Sequence, residues 1–123
     1  MISRHAALAL ALLTCALPCP AQGNETVVMR PVKAQNLSGI VVFAPGNEQP
    51  MKGVHVEECD STWKTVLAST TTDENGHFQL MPAAKGKLHY LRIYAPGYDI
   101  SEYPVKLSRF APAELHLEVH VGT

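Results

Sequence analysis

The sequence predicts an all-β sandwich, and three observations carry that prediction. About seven short stretches rich in β-branched and aromatic residues recur at near-regular intervals beyond residue 36. Clusters of Gly, Pro, Asn and Asp separate them. No stretch beyond residue 21 repeats its apolar residues with a helical period.

The chain opens on something of a different kind. Arg4 and His5 precede the apolar run Ala6 to Leu13, which is too short to span a bilayer. Cys19-Pro20-Ala21 follows, with small residues at the two positions a signal peptidase reads. A cleavable secretory signal over residues 1–21, cut after Ala21, is expected, and with it a secreted or periplasmic location. A buried N-terminal helix fits less well, because Pro18 and Pro20 interrupt it and it has no polar face. A lipid anchor on Cys15 or Cys19 is disfavoured by the Thr14 and Pro18 that precede them.

Removal of 21 residues leaves 102 of 123, enough for one domain. The full chain carries a formal charge of −1, and only one charged residue, Arg4, is removed. There is no basic excess for nucleic acid, no charge run for an anionic membrane and no second segment long enough to span one. Cys59 is then the only cysteine left, so no intrachain disulfide can form. It reads as a small buried hydrophobe in a strand rather than a reactive thiol, since no cationic neighbour in sequence activates it.

Residues 22–36 read as a lead or a short edge strand, with Pro31 confining it to an edge. Asn24 and Asn36 each begin a glycosylation acceptor pattern, which matters only in a eukaryotic secretory route. Gly39 to Phe43 is a short β-rich run ended by Pro45-Gly46-Asn47, and Val54 to Glu57 alternates. Val66 to Thr72 and His77 to Met81 flank Asp73-Glu74-Asn75-Gly76, a four-residue hairpin turn. In that turn Asp73 bonds forward to a backbone N–H, Asn75 tolerates unusual backbone angles and Gly76 supplies a positive φ. Phe78 and Leu80 point to the core, and His77 and Gln79 away from it. Leu88 to Ala95 is the longest strand, stopped by Pro96-Gly97; Tyr103 to Leu107 follows. In the last strand Leu115, Leu117, Val119 and Val121 share one face, opposite Glu114, His116, Glu118 and His120.

These residues resemble a known family. Pro50-Met51-Lys52-Gly53-Val54-His55-Val56 is similar to its "P-x-x-G-V-x-V" step, and Thr72 to Phe78 to its "T-D-x-x-G-x-F". Gly86, Leu91, Ile93, Ala95, Pro96, Gly97 and Tyr98 resemble its "G-x-Y-x-L-x-V-x-A-x-G-Y". Ser38 to Val42 opens the domain in the same way. The family is the carboxypeptidase regulatory-like domain, and the resemblance covers about Leu37 to Val121 within a domain over 37–123. It implies a transthyretin-like (prealbumin-like) Greek-key sandwich of about seven strands. It also implies a noncatalytic module. One departure stands out: His89-Tyr90 adds a residue between Gly86 and the Leu91-Ile93-Ala95 face, which a bulge or a shifted strand start would absorb.

The rival chemistries are disfavoured one by one. The hydroxyisourate hydrolase on this sandwich ends in Tyr-Arg-Gly-Ser, whereas His120-Val121-Gly122-Thr123 has neither the tyrosine nor the arginine. A Lys–Asn isopeptide crosslink needs a lysine in the first strand, and Ile40 to Phe43 has none. His116 and His120 lie about 13 Å apart on a strand and do not chelate one ion. His55, His77 and His89 read as solvated strand residues, and Asp73-x-Asn75-Gly76 lacks the remaining ligands of a calcium loop. Neither a metal nor a cofactor is expected. With Leu91, Ile93 and Ala95 inward, Tyr90, Arg92 and Tyr94 line the outer face, and Trp63 sits in the neighbouring loop. These four are the candidate binding residues, though their rings also suit cross-strand cover of the sheet. The expected function is noncatalytic binding of a protein or cell-envelope component. The alternative is carbohydrate binding by stacking on Trp63, Tyr90 and Tyr94.

Overall fold

The computed structural model describes residues 25–43 and 49–121. The secretory signal, its cleavage after Ala21, the acceptor at Asn24, the turn at Pro45-Gly46-Asn47 and the last two residues lie outside the described residues. The described chain is all β, with ten strands in two mixed sheets and no helix. The strands are β1 (Thr26–Val28), β2 (Val32–Ala34), β3 (Ser38–Phe43), β4 (Gln49–Pro50), β5 (His55–Cys59), β6 (Val66–Thr71), β7 (His77–Gln79), β8 (Leu88–Tyr94), β9 (Ile100–Leu107) and β10 (Leu115–Val119). The sequence predicts about seven; β1, β2 and the two-residue β4 are the additions.

The larger sheet runs β1-β9-β8-β5-β6, with β2 also on β9. β1 and β2 lie parallel along the same strand, Val28 beside Glu102 and Val32 beside Val105. They are one edge interrupted at Pro31, which has no N–H to give a ladder. In the smaller sheet β3 is central, with β10 parallel on one side and β7 and then β4 antiparallel on the other. β3 and β10 approach so closely that a Cβ on Gly39 would run into the Leu115 carbonyl.

Alternation in each sheet supplies the core. Val41 and Leu117 from one sheet meet Val56, Leu91, Ile93 and Val105 from the other, and all six are fully buried. Each such side chain contributes about 1.5–3 kcal/mol by leaving water. Two polar residues pin the layers. The Tyr103 hydroxyl donates to the Glu118 carbonyl at 3.1 Å and accepts the Glu118 N–H at 3.0 Å, tying β9 to β10. Thr72 accepts the Val54 N–H at 2.9 Å and donates to the Met51 carbonyl at 2.7 Å.

The central turn is built as its residues require. Asp73 Oδ1 accepts the N–H groups of Asn75 and His77, each at 2.9 Å. Those bonds, that of His77 foremost, hold the Asp73 carboxyl below the ordinary range. Gly76 has φ +78° and its carbonyl accepts the Val41 N–H. Phe78 and Leu80 are buried; His77 and Gln79 are exposed. Val121 departs from expectation. It leaves the face of Leu115, Leu117 and Val119, is 54% exposed, and makes only an isolated bridge to Tyr98.

Candidate functional site

The outer face of the larger sheet is where side chains with chemistry converge. Burying Val56, Leu91 and Ile93 turns their neighbours outward. These are His55 and Glu57 on β5, Tyr90, Arg92 and Tyr94 on β8, and Glu102 on β9. The register sets Glu57, Arg92 and Glu102 side by side across three strands.

Arg92 is the hub of that face. Its Nε and Nη2 donate to Glu57 Oε1 at 3.2 and 3.1 Å. Its Nη1 donates to the Trp63 carbonyl at 3.0 Å and lies 3.6 Å from Glu102 Oε2. Such a guanidinium is held in place by its own protein rather than kept free for a ligand. Tyr94 donates its hydroxyl to Glu57 Oε2 at 3.3 Å, and its ring stacks on His55 at 4.8 Å. Burial, then the Glu57 charge, pushes the Tyr94 hydroxyl above the usual phenol range.

The loop from Asp60 to Thr65 folds Trp63 onto this face. Asp60 Oδ1 accepts the Thr62 hydroxyl at 2.7 Å and the N–H groups of Thr62 and Lys64, each at 3.1 Å. The Thr62 hydroxyl is the main reason the Asp60 carboxyl is held down to about 2. Within this loop Trp63 adopts φ +64°, the only non-glycine at positive φ among the described residues. Its ring meets Tyr90 edge-on, with centroids 5.4 Å apart.

The structure therefore brings Trp63, Tyr90, Arg92 and Tyr94 together. All three rings are half-buried, as cover for the sheet would have them, and Arg92 is internally engaged. Cys59 lies across from Tyr90 and is buried. Burial pushes its thiol upward, with Arg92 pulling the other way, so it stays a protonated thiol.

His89, expected as a solvated strand residue, is instead sealed in the core with Glu58. Glu58 and His89 are 0% and 1% exposed, and His89 Nδ1 lies 2.8 Å from Glu58 Oε2. The other ring nitrogen faces the Gly86 carbonyl at 3.0 Å. Glu58 also accepts the Ala83 and Ala84 N–H groups, at 2.7 and 3.2 Å. Both ring nitrogens therefore have a polar partner, and both carboxylate oxygens accept backbone N–H groups. The pair clasps the loop before β8. No bulge falls at His89-Tyr90: β8 stays in continuous register with β5 and β9. The register shift falls on β5 against β6, at Glu58/Cys59. The parity of His89 with Leu91 and Ile93 is the sequence signal of its burial, and the reading as a solvated residue missed it.

His55, His77 and His116 are exposed, as expected of solvated strand residues. No group of three His, Cys, Asp or Glu is arranged to hold a metal among the described residues. A shallow open groove runs between β6 and β7, with Thr70, Asp73, His77, Gln79 and Glu114 on its walls. Asp73 is already spent on the turn there. No helix of the described residues is long and apolar enough to cross a membrane. A scan against protein-family models gives no match, and a search of curated proteins gives none.

Proposed function

We propose that the chain is a secreted or periplasmic, noncatalytic binding module that recognises a cell-envelope partner through the outer face of its larger sheet. The observation that carries this reading is Trp63. A bulky residue at φ +64° is strained by an amount on the order of 1–3 kcal/mol. A fully bonded Asp60 loop sustains that strain, and its result is a large aromatic on the outer face rather than in the core. The resemblance to carboxypeptidase regulatory-like domains, with their transthyretin-like Greek-key sandwich, points the same way.

The noncatalytic part is supported by where the reactive groups sit. Glu58 and His89 are bonded to each other out of solvent, Arg92 is locked by Glu57 and the Trp63 carbonyl, and Cys59 is a buried thiol. The test is a pull-down from the native envelope fraction with wild type and Trp63→Ala in parallel. A component retained by wild type and lost by the variant supports the reading. Turnover of a defined substrate, abolished by a point mutation, overturns it.

Carbohydrate binding is the second reading, favoured by polar groups beside the rings: the Tyr94 hydroxyl and Glu57 lie within one strand of Tyr90. A glycan array with Trp63→Ala and Tyr94→Ala controls separates the two.

A further inference from the structure

The topology gathers cations that the sequence scatters. β2 and β9 end, and β8 begins, at one end of the sandwich, so Lys33, Lys106 and Leu88 stand in one row across three strands. The Lys87 carbonyl accepts the Leu107 N–H there, which brings the loop carrying Lys85 to the same end. The loop with Arg109 and Phe110 folds onto the end of β2, since the Ala34 carbonyl accepts the Ser108 N–H and Gln35 Nε2 donates to the Ala111 carbonyl. Five of the chain's ten lysines and arginines thus meet at one end, Lys33 and Lys106 on strands and Lys85, Lys87 and Arg109 on loops. All five are exposed, and none enters an ion pair among the described residues. Glu114 is the exposed carboxylate nearest to them in sequence.

Apolar tips stand among these cations. Phe110 is 89% exposed, Met81 82% and Leu88 57%. The Arg109 guanidinium lies 5.6 Å from the centre of the Phe110 ring. The other end carries the exposed carboxylates Glu25, Asp73 and Glu74 against Lys52, while at the basic end Asp60 is bonded within its own loop beside Lys64. The chain is therefore polarised along its length, while its net charge stays at −1.

We propose that this basic end docks on the surface of an anionic phospholipid bilayer. The lysines and Arg109 would meet the headgroup phosphates, and Phe110, Met81 and Leu88 would enter the interfacial layer. Complementary charge selects an anionic surface. The apolar residues select lipid over an acidic protein. They protrude as separate convex tips, which a fluid interface accepts anywhere, whereas a folded partner would need a matching pocket for each. The acidic far end orients the molecule by repulsion from the same surface. The residues differ from those of the aromatic face, so either proposal can fail alone.

The test is partition of the full chain onto phosphatidylcholine vesicles with and without phosphatidylglycerol. Quenching of the single tryptophan, Trp63, by brominated lipid provides a local readout. Binding is expected only with phosphatidylglycerol and should weaken as salt rises. Each cation removed is expected to lower the partition about 5-fold, so K87Q/K106Q together lower it about 25-fold. Phe110→Ser is expected to lower it about tenfold. Both variants lie on exposed positions, and circular dichroism checks that they keep the fold. Equal binding to both vesicle types, wild-type binding by these variants, or binding to polyglutamate but not to vesicles would overturn the proposal.

Discussion

Replacing Gly76 with valine should cost more stability than any change to the neighbouring His77 side chain. Two separate penalties follow from the turn. At φ +78° a β-branched residue carries strain on the order of 1–3 kcal/mol. In addition, its Cβ would lie 2.8 Å from the Val41 carbonyl oxygen and 3.1 Å from the Met51 nitrogen, both backbone atoms. The turn must lift away from β3, which weakens the bond from Val41 N–H to the Gly76 carbonyl, worth about 0.5–1.5 kcal/mol. The sum is about 2–4 kcal/mol in a domain whose whole stability is about 5–15 kcal/mol. With a urea slope of about 1–3 kcal/mol/M, the midpoint should fall by about 0.7–4 M. His77 is exposed and gives the turn only its backbone N–H and carbonyl, so His77→Ala should change stability by about 0.5 kcal/mol or less. Gly76→Asn separates the two penalties, because Asn tolerates positive φ but still brings a Cβ. It should fall between glycine and valine. Equal midpoints for Gly76→Val and His77→Ala would refute this account of the turn.

Three further outcomes are expected. His89→Ala leaves the Glu58 side chain buried without the ring that bonds it and should cost about 3–5 kcal/mol by urea denaturation. Thr72→Val keeps the shape but strands the Met51 carbonyl and the Val54 N–H, and should cost about 1–3 kcal/mol by the same assay. Asp60 is held at about 2 when folded and sits near 3.9 when free. Its contribution is therefore present above pH ~4 and lost as pH falls through about 2. Trp63 emission should change over that window and should be altered in Asp60→Asn at neutral pH. A flat response would place the strength of the loop elsewhere.

Strand positions and faces were legible wherever a period of two met a punctuating glycine or proline. Phe78, Leu80, Leu91 and Ile93 are inside, and Tyr90, Arg92 and Tyr94 are outside. Gly76 was legible because a tight turn back into a strand needs a positive φ. The partners of these residues were not. Glu57 and Glu102 flank Arg92 only through pairing across strands 35 and 10 residues distant, which local sequence does not encode. The strain at Trp63 depends on Asp60 capturing four donors, an arrangement that composition does not reveal. His89 was misplaced for a different reason. A histidine reads as polar, and only the Glu58 carboxylate beside it makes burial tolerable. The basic end was invisible because no two of its five cations are adjacent in sequence.

The central claim is that the Trp63 face is a recognition surface. Oxidative footprinting of the protein, alone and incubated with its native envelope fraction, tests that most directly. Labelling rates of Trp63, Tyr90 and Tyr94 should drop several-fold on incubation, while that of exposed His77, on the other sheet, should stay unchanged. Unchanged rates at all three aromatic residues, in a fraction that still retains the protein, would contradict the claim.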